Sequence, residues 1–133
     1  MKDGKLNYVH NYVSKARYAV TSTASVPEGR HKLVYQFQVT GKPDIAHGKG
    51  TPGRGQLFID GKQVGQADIP VTSPLALGLS SGLVCGVNPG SPVTPDYEPP
   101  FKFTGTIHSV TVDVSGEHLR DPEAEHRAIM ARQ

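Results

Sequence analysis

Residues 55–65, "GQLFIDGKQVG", contain the strongest fold signal in the chain. The Asp60-Gly61 pair readily takes the positive φ angles of a type I′ turn, and apolar residues lie on both sides of it. This stretch therefore predicts an antiparallel β-hairpin with a two-residue turn. Pairing about the turn predicts two pairs of opposed residues: Ile59 with Lys62, and Leu57 with Val64.

The N-terminal third of the chain also alternates with a period of two, which is typical of β-strands. We predict a strand over residues 5–13, "KLNYVHNYV", covered on both faces, and a second one in "RYAVTS", residues 17–22. A third, half-buried strand is predicted in "KLVYQFQV", residues 32–39. Residues 74–86, "PLALGLSSGLVCG", predict one or two short apolar strands.

Residues 91–114 divide into a proline-rich half and an alternating half. Four prolines of the first half donate no backbone hydrogen bond, so residues 91–100 are predicted to form an ordered crossing loop. From Phe101 onward the alternation predicts a strand. Its apolar face changes midway, which predicts a bulge near Gly105 or Thr106, or burial on both faces. The four prolines are Pro92, Pro95, Pro99 and Pro100.

The C-terminal residues change from strand-like to helix-like patterning. Asp121 is a suitable N-cap, Pro122 suits the first helical position, and acidic residues precede basic ones along "DPEAEHRAIMAR". We predict a helix over about 122–131, within a tail of residues 116–133. Fifteen glycines, eleven prolines and no tryptophan accompany these patterns. Short strands joined by many turns explain that composition better than a helical bundle does, so we predict an all-β chain.

Size and charge limit the classes of protein to consider. At 133 residues the chain matches one domain, and we treat residues 1–133 as a single unit. The formal net charge is +2 and the basic residues form no run, so nothing favours nucleic acid or an anionic membrane as a partner. No apolar segment reaches the roughly 18 residues of a membrane span, and the polar N-terminus resembles no signal peptide. The sequence does not indicate the cellular compartment of the protein.

The single cysteine and the glycine-rich motif do not indicate a catalytic nucleophile or a nucleotide-binding site. Cys85 is the single cysteine, and its apolar neighbours predict a buried small side chain rather than a nucleophile. Gly48, Gly50 and Gly53 spell G-x-G-x-x-G. The nucleotide-binding form of this motif follows a strand and opens a helix, whereas here a predicted strand follows it. We therefore predict a loop between strands.

Six histidines and several loop oxygen ligands are the candidates for a metal or catalytic site. His10 and His108 both lie in predicted strands and could approach each other near Asp113 or Asp60, but the spacing favours structural histidines. Calcium through loop oxygens would use residues outside any D-x-D-x-D pattern. We predict no cofactor and no metal ligand in this chain. The loop residues that could supply such oxygen ligands are Asp44, Asn88 and Asp96.

Hydrolase motifs are also missing from the sequence. Ser80 and Ser81 lie between glycines in "GLSSG", which does not match the G-x-S-x-G nucleophile elbow. A glycosidase carboxylate pair could only be chosen arbitrarily. We predict no catalytic residue. The carboxylates from which a pair would be drawn are Glu28, Asp44, Asp60, Asp68, Asp96, Glu98 and Asp113.

Several stretches together resemble the C-terminal β-sandwich region of bacterial arylsulfatases, members of the sulfatase family. These are "GQLFIDGKQVG" and the following "GSPVTPDYEPPFKFTGTIHSVTVDV". "LNYVHNYV", "YAVTS" and "PEGRHKLVYQF" precede them in the order of that region. The resemblance covers roughly residues 5–115. It implies an antiparallel β-sandwich of the concanavalin or laminin-G jelly-roll type over those residues, with the helix in the tail.

The resemblance also implies a function. Family members hydrolyse sulfate esters with a formylglycine made in a C/S-x-P-x-R motif and with calcium, both in a catalytic domain. Cys85 is followed by "GVNPG", so this chain lacks the motif. We predict a noncatalytic accessory domain that packs on a sulfatase catalytic domain, frames substrate access with loops 41–54 and 87–100, and self-associates when isolated. The alternative is an autonomous lectin-like module that binds carbohydrate or another ligand.

Overall fold

The computed structural model of the protein describes residues 1–74, 82–116 and 122–130, and these are mainly antiparallel strands, as predicted. Within these residues, seven strands, a 3₁₀ turn at Ile45–His47 and one helix follow each other in sequence. The strands are β1 (Lys5–Tyr12), β2 (Ala16–Ser25), β3 (Leu33–Val39), β4 (Gly53–Ile59), β5 (Lys62–Ile69), β6 (Val87–Asn88) and β7 (Phe101–Lys102), and the helix is α1 (Pro122–Met130).

The strands pair in three antiparallel groups: a β1–β2 hairpin, a three-stranded sheet in the order β3–β4–β5, and a short β6–β7 pair. The predictions of strands over 5–13, 17–22 and 32–39 are confirmed. The first ends at Tyr12, because Val13 takes a positive φ of 47° in the turn that follows. The second extends to Ser25, three residues further than its pattern indicated.

The hairpin between β4 and β5 has the predicted turn but a different register. Asp60 and Gly61 have φ angles of 49° and 82°, as a type I′ turn requires, and Ile59 lies opposite Lys62. The predicted pairing of Leu57 with Val64 is wrong, since Leu57 lies opposite Gly65. A β-bulge causes the shift: Val64 is the extra residue on β5 and stays buried.

The core lies between the β1–β2 hairpin and the three-stranded sheet. Leu57 and Val20 are each 1% exposed and bring β4 and β2 together. The rings of Tyr8 and Tyr35 stack at a centroid distance of 3.7 Å and join β1 to β3. Apolar burial of this kind supplies most of the stability of a small domain. The remaining members of the cluster are Ile59, Val64, Leu6, Val26 and Ala67.

A close approach of β5 to β2 holds the two layers together. A Cβ atom placed on Gly65 would lie 2.7 Å from the carbonyl oxygen of Thr21, so only glycine allows this distance. Nearby, the hydroxyl of Thr23 donates to the carbonyl of Val64 at 3.0 Å. The buried Ser22 hydroxyl accepts from the Leu6 amide and donates to the Ala24 carbonyl, which satisfies the irregular part of the β1–β2 ladder.

The predicted strand beginning at Phe101 is wrong beyond its first two residues. β7 ends at Lys102, and no strand is assigned over residues 103–116. After Lys102, the Phe103 amide donates to the Gly86 carbonyl. Within the described ranges, no neighbouring strand pairs with the residues that follow Phe103, so the ladder stops there. The proline-rich loop over 91–100 is confirmed as a connection between β6 and β7.

The prediction of a buried Cys85 is also wrong, because its side chain is exposed. It lies in the bend that leads into the two-residue strand β6, where Gly86 has a φ of 78°. The short β6–β7 pair leaves this bend at the surface. Of the segment expected to hold one or two strands, residues 75–81 lie outside the described residues, and residues 82–86 form no strand.

Candidate functional site: a loop junction at the tip of the β1–β2 hairpin

The turn between β1 and β2 orients two neighbouring side chains in opposite directions. Val13 and Ser14 take φ angles of 47° and 61°, and the side chain of Asn11 stabilises the turn by accepting from the Ser14 amide at 2.8 Å. Asn11 and Tyr12 are consecutive on a strand, so they project from opposite faces. Each of them holds a different loop.

On one face, the carbonyl oxygen of Val93 accepts two hydrogen bonds from the hairpin. Asn11 Nδ2 and Arg17 Nε each donate to it at 3.1 Å. Asn11 and Arg17 are opposite each other in the β1–β2 register, which explains why their side chains converge on one acceptor. This pair anchors the proline-rich loop on the hairpin.

Side chains inside the proline-rich loop hold its shape. The Tyr97 hydroxyl accepts from Asn88 Nδ2 at 2.5 Å and from the Val93 amide at 3.0 Å. At the same loop, Lys2 Nζ lies 2.8 Å from Asp96 Oδ1. That hydrogen bond to Lys2 holds the pKa of Asp96 below its usual range. The proline-rich loop is therefore anchored to the hairpin at Val93 and to Lys2 at Asp96.

On the other face, the Tyr12 hydroxyl donates to the carbonyl of Gly48 at 2.7 Å. Gly48 ends the 3₁₀ turn with a φ of 71°. Within that turn, His47 Nδ1 lies 2.8 Å from Asp44 Oδ1, and this hydrogen bond lowers the pKa of Asp44. Helix α1 lies beside the 3₁₀ turn. We call the group Asn11, Tyr12, Arg17, Gly48 and Val93 the loop junction.

Replacing Tyr12 by phenylalanine should free the 44–50 loop while leaving the strand intact. The change removes one exposed hydrogen bond, so the free energy of unfolding should fall by at most about 1 kcal/mol. Amide hydrogen exchange should accelerate at Gly48 and Lys49, and Tyr18→Phe on β2 is the matched control. Equal exchange of this loop in both variants would contradict the anchoring role of Tyr12.

The histidine arrangement differs from the one considered in the sequence. No hydrogen bond within the described ranges joins His10 or His108 to Asp60 or Asp113. Asp60 instead meets His31, with Nδ1 2.6 Å from Oδ2. Sequence reasoning missed this pair because the two residues are 29 positions apart. No sequence pattern indicates the pair: the pairing of Leu33 with Ile59, which only the fold shows, places the residues beside these two strand ends next to each other.

In the described part of the chain, two buried polar atoms have no hydrogen-bond partner: His10 Nε2 and the Tyr35 hydroxyl. Burial lowers the pKa of His10 and raises the pKa of Tyr35. Both shifts favour the neutral form of the side chain, which is the form that a dry site tolerates. The notion of a hydrogen-bonded structural histidine at position 10 does not hold for Nε2, which has no partner among the described residues.

The calcium candidates are separated by their own hydrogen bonds. Asp44 is bonded to His47, Asn88 to Tyr97, and Asp96 to Lys2. Across residues 1–74, 82–116 and 122–130, no group of three His, Cys, Asp or Glu side chains is placed to hold a metal ion. Ser80 and Ser81 lie outside the described residues.

The G-x-G-x-x-G stretch leads directly into β4, as predicted for a loop between strands. Gly50 packs against Thr72, and its amide donates to the Thr72 carbonyl at 2.7 Å. Gly50 and Gly53 therefore allow close packing, whereas Gly48 supplies the positive φ that ends the 3₁₀ turn.

Two shallow clefts lie on the described surface, away from the loop junction. The first, of about 340 Å³, is lined by polar side chains around the start of β1. The second, of about 200 Å³, runs between the end of β2 and the β4–β5 turn. The lining residues of the second are Thr23, Ala24, Ser25, Pro27, Ile59, Lys62, Gln63 and Val64.

No family model, curated protein or solved structure matches this chain. Among the described helices, none is long and apolar enough to cross a membrane.

Proposed function

We propose that the chain is the noncatalytic C-terminal accessory domain of an arylsulfatase-type sulfate ester hydrolase. In this proposal the strands form a jelly-roll sandwich of the concanavalin or laminin-G type that ends in α1. The domain packs on a sulfatase catalytic domain, which carries the formylglycine and the calcium site. The ordered motifs between residues 5 and 115 are the sequence basis of the proposal.

The observation that carries the proposal is the loop junction. Loops 41–54 and 87–100, the two expected to frame a substrate entrance, are held by neighbouring side chains of one hairpin tip. Anchored loops keep a defined position relative to a rigid scaffold, which is what an accessory domain needs to shape a neighbouring site. The junction itself contains no nucleophile paired with a base, so its contribution is positional.

The segment over 103–116 supports a docked state. Its valines alternate as in a strand, yet Val110, Val112 and Val114 are 55%, 58% and 85% exposed. A row of exposed β-branched side chains is unusual on a free surface and is typical of a contact face. In the proposal this segment faces the catalytic domain.

The proposal is tested with the purified chain and a sulfatase catalytic domain that lacks its own C-terminal region. We expect the two to co-elute as a one-to-one complex in size-exclusion chromatography with light scattering. Turnover of a chromogenic aryl sulfate should come from the catalytic domain alone, since this chain lacks the formylglycine motif. Val112→Asp should abolish co-elution, because it places a charge on the proposed contact face.

Val39→Asp is the matched control, because Val39 is 53% exposed on β3 and lies outside the segment. Equal loss of binding in both variants would contradict the proposed face. Hydrolysis of the aryl sulfate by the chain alone would overturn the noncatalytic role. Saturable binding on a glycan array, without binding to the catalytic domain, would favour the lectin-like alternative.

A further inference from the structure

The ring of His31 lies between two oxygen atoms from different parts of the chain. Nδ1 is 2.6 Å from the Asp60 carboxylate, in the β4–β5 turn. Nε2 is 3.1 Å from the carbonyl oxygen of Glu28, in the connection between β2 and β3. Both ring nitrogens therefore face acceptors.

The two acceptors bear on how many protons the ring carries. A neutral imidazole has one N–H donor and one bare nitrogen, whereas the imidazolium has two donors. A bare nitrogen beside either oxygen would set two lone pairs against each other. The other carboxylate oxygen of Asp60 already accepts from the Lys32 amide at 2.8 Å, so the carboxylate is held in place as an anion. Two acceptors and one fixed anion favour the doubly protonated ring.

The contacts of His31 connect the two walls of the 200 Å³ cleft. Pro27 lies on one wall, next to Glu28, and Ile59 and Lys62 lie on the other, on either side of the Asp60-Gly61 turn. Holding Glu28 and Asp60 on one ring therefore keeps the Pro27 side of the cleft close to the turn.

We propose that His31 is a proton-dependent latch that holds the Pro27–Glu28 end of the 26–32 connection close to the β4–β5 turn. When the ring is doubly protonated, both walls are held. When it loses one proton to solvent, the remaining proton stays on Nδ1 beside the charged carboxylate. Nε2 then presents a lone pair to the Glu28 carbonyl, and that contact opens. The Pro27–Glu28 end of the connection is then released from the ring and the cleft widens there, while Lys32 keeps the rest of the connection bonded to Asp60.

The direction of the pH effect follows from the groups that face the ring. The hydrogen bond with Asp60 raises the pKa of His31, and the Glu28 carbonyl adds to the effect. The hydrogen bond with His31 in turn lowers the pKa of Asp60. A raised histidine pKa stabilises the fold fully below the unfolded value of about 6.5, and the contribution is lost as the pH rises through the folded value. The Asp60 contribution is lost in strong acid.

The latch is tested by nuclear magnetic resonance titration of the full chain between pH 5 and 9. At pH 6 both ring ¹⁵N shifts of His31 should be those of an imidazolium, and its midpoint should lie above 6.5. The order parameters of the Glu28 and Gly29 amides should fall as His31 deprotonates. Asp60→Asn should lower the His31 midpoint, since it removes the anion.

His31→Gln should make the Glu28 and Gly29 order parameters independent of pH over this range. His108→Gln is the matched control, since His108 is exposed, and it should leave the transition unchanged. A neutral His31 ring at pH 6, or order parameters that titrate identically in His31→Gln, would overturn the latch. If His31→Gln does not fold, the unmodified chain decides the question: Glu28 and Gly29 order parameters that stay constant while His31 titrates would overturn the latch.

Discussion

Replacing Leu57 by alanine is expected to lower the free energy of unfolding by about 2–5 kcal/mol, the range for large-to-small changes in a packed core. Leu57 is 1% exposed and lies in the central strand β4, where it contacts both layers of the core. Removing its side chain leaves a cavity that flanking strands cannot fill without losing their hydrogen bonds. Urea unfolding followed by circular dichroism measures the loss.

Leu83→Ala is the control for this prediction, because Leu83 is 80% exposed and the chemical change is the same. Its unfolding free energy should stay within about 0.5 kcal/mol of the unmodified chain. Similar losses at both positions would mean that β4 is not the centre of the core.

Gly65→Ala should lower the free energy of unfolding by about 1–3 kcal/mol through overpacking. The added methyl carbon would lie 2.7 Å from the Thr21 carbonyl oxygen and 3.3 Å from the Ser22 Cα. Both neighbours are backbone atoms, so no side-chain rotation can relieve the contact. The strands β2 and β5 must therefore move apart, which also weakens the hydrogen bond from Thr23 to Val64.

Gly82→Ala provides the matched control for Gly65→Ala. A Cβ atom at Gly82 meets no atom of the described residues within 4 Å, and its backbone is not in the positive-φ region. Thermal unfolding should give nearly the same midpoint for Gly82→Ala as for the unmodified chain. A stable Gly65→Ala variant would show that the two layers are not in contact along β2 and β5.

These two experiments test the packing of the layers without reference to the proposed function. The accessory-domain proposal requires a folded chain whose loops have fixed positions. The positions of the loops depend on how the β1–β2 hairpin packs on the three-stranded sheet. If both experiments give the expected losses but the chain does not bind a sulfatase catalytic domain, the described packing is supported and the accessory-domain proposal is contradicted.

The local elements were predictable because short-range chemistry decides them. Asp60-Gly61 favours positive φ angles at two consecutive positions, and this selects the turn wherever the strands lie. The alternation in 5–13 and 32–39 depends only on which side chains can face a core. The segment over 103–114 has the same alternation but forms no strand past Lys102. A strand needs hydrogen bonds from a neighbour, and the pattern of one segment carries no information about its neighbour.

The candidate site was predictable only in part, for the same reason. Sequence patterning identified loops 41–54 and 87–100 but not the side chains that hold them. Asn11 and Tyr12 bind loop carbonyls 82 and 36 positions away, and any hydrogen-bond donor can make such a bond. His31 and Asp60 meet because two strand ends are adjacent. The exposure of Cys85 was missed because burial depends on what covers a bend.

Composition and local pattern thus determined the all-β class, the Asp60-Gly61 turn and the first three strands. Tertiary structure alone decided the Val64 bulge, the contact of Gly65 with Thr21, the loop junction and the His31–Asp60 pair. The physical reason is the range of the interactions. Backbone propensity and side-chain alternation act over a few neighbouring residues, whereas close packing and hydrogen-bond pairing join residues that only the folded chain brings together.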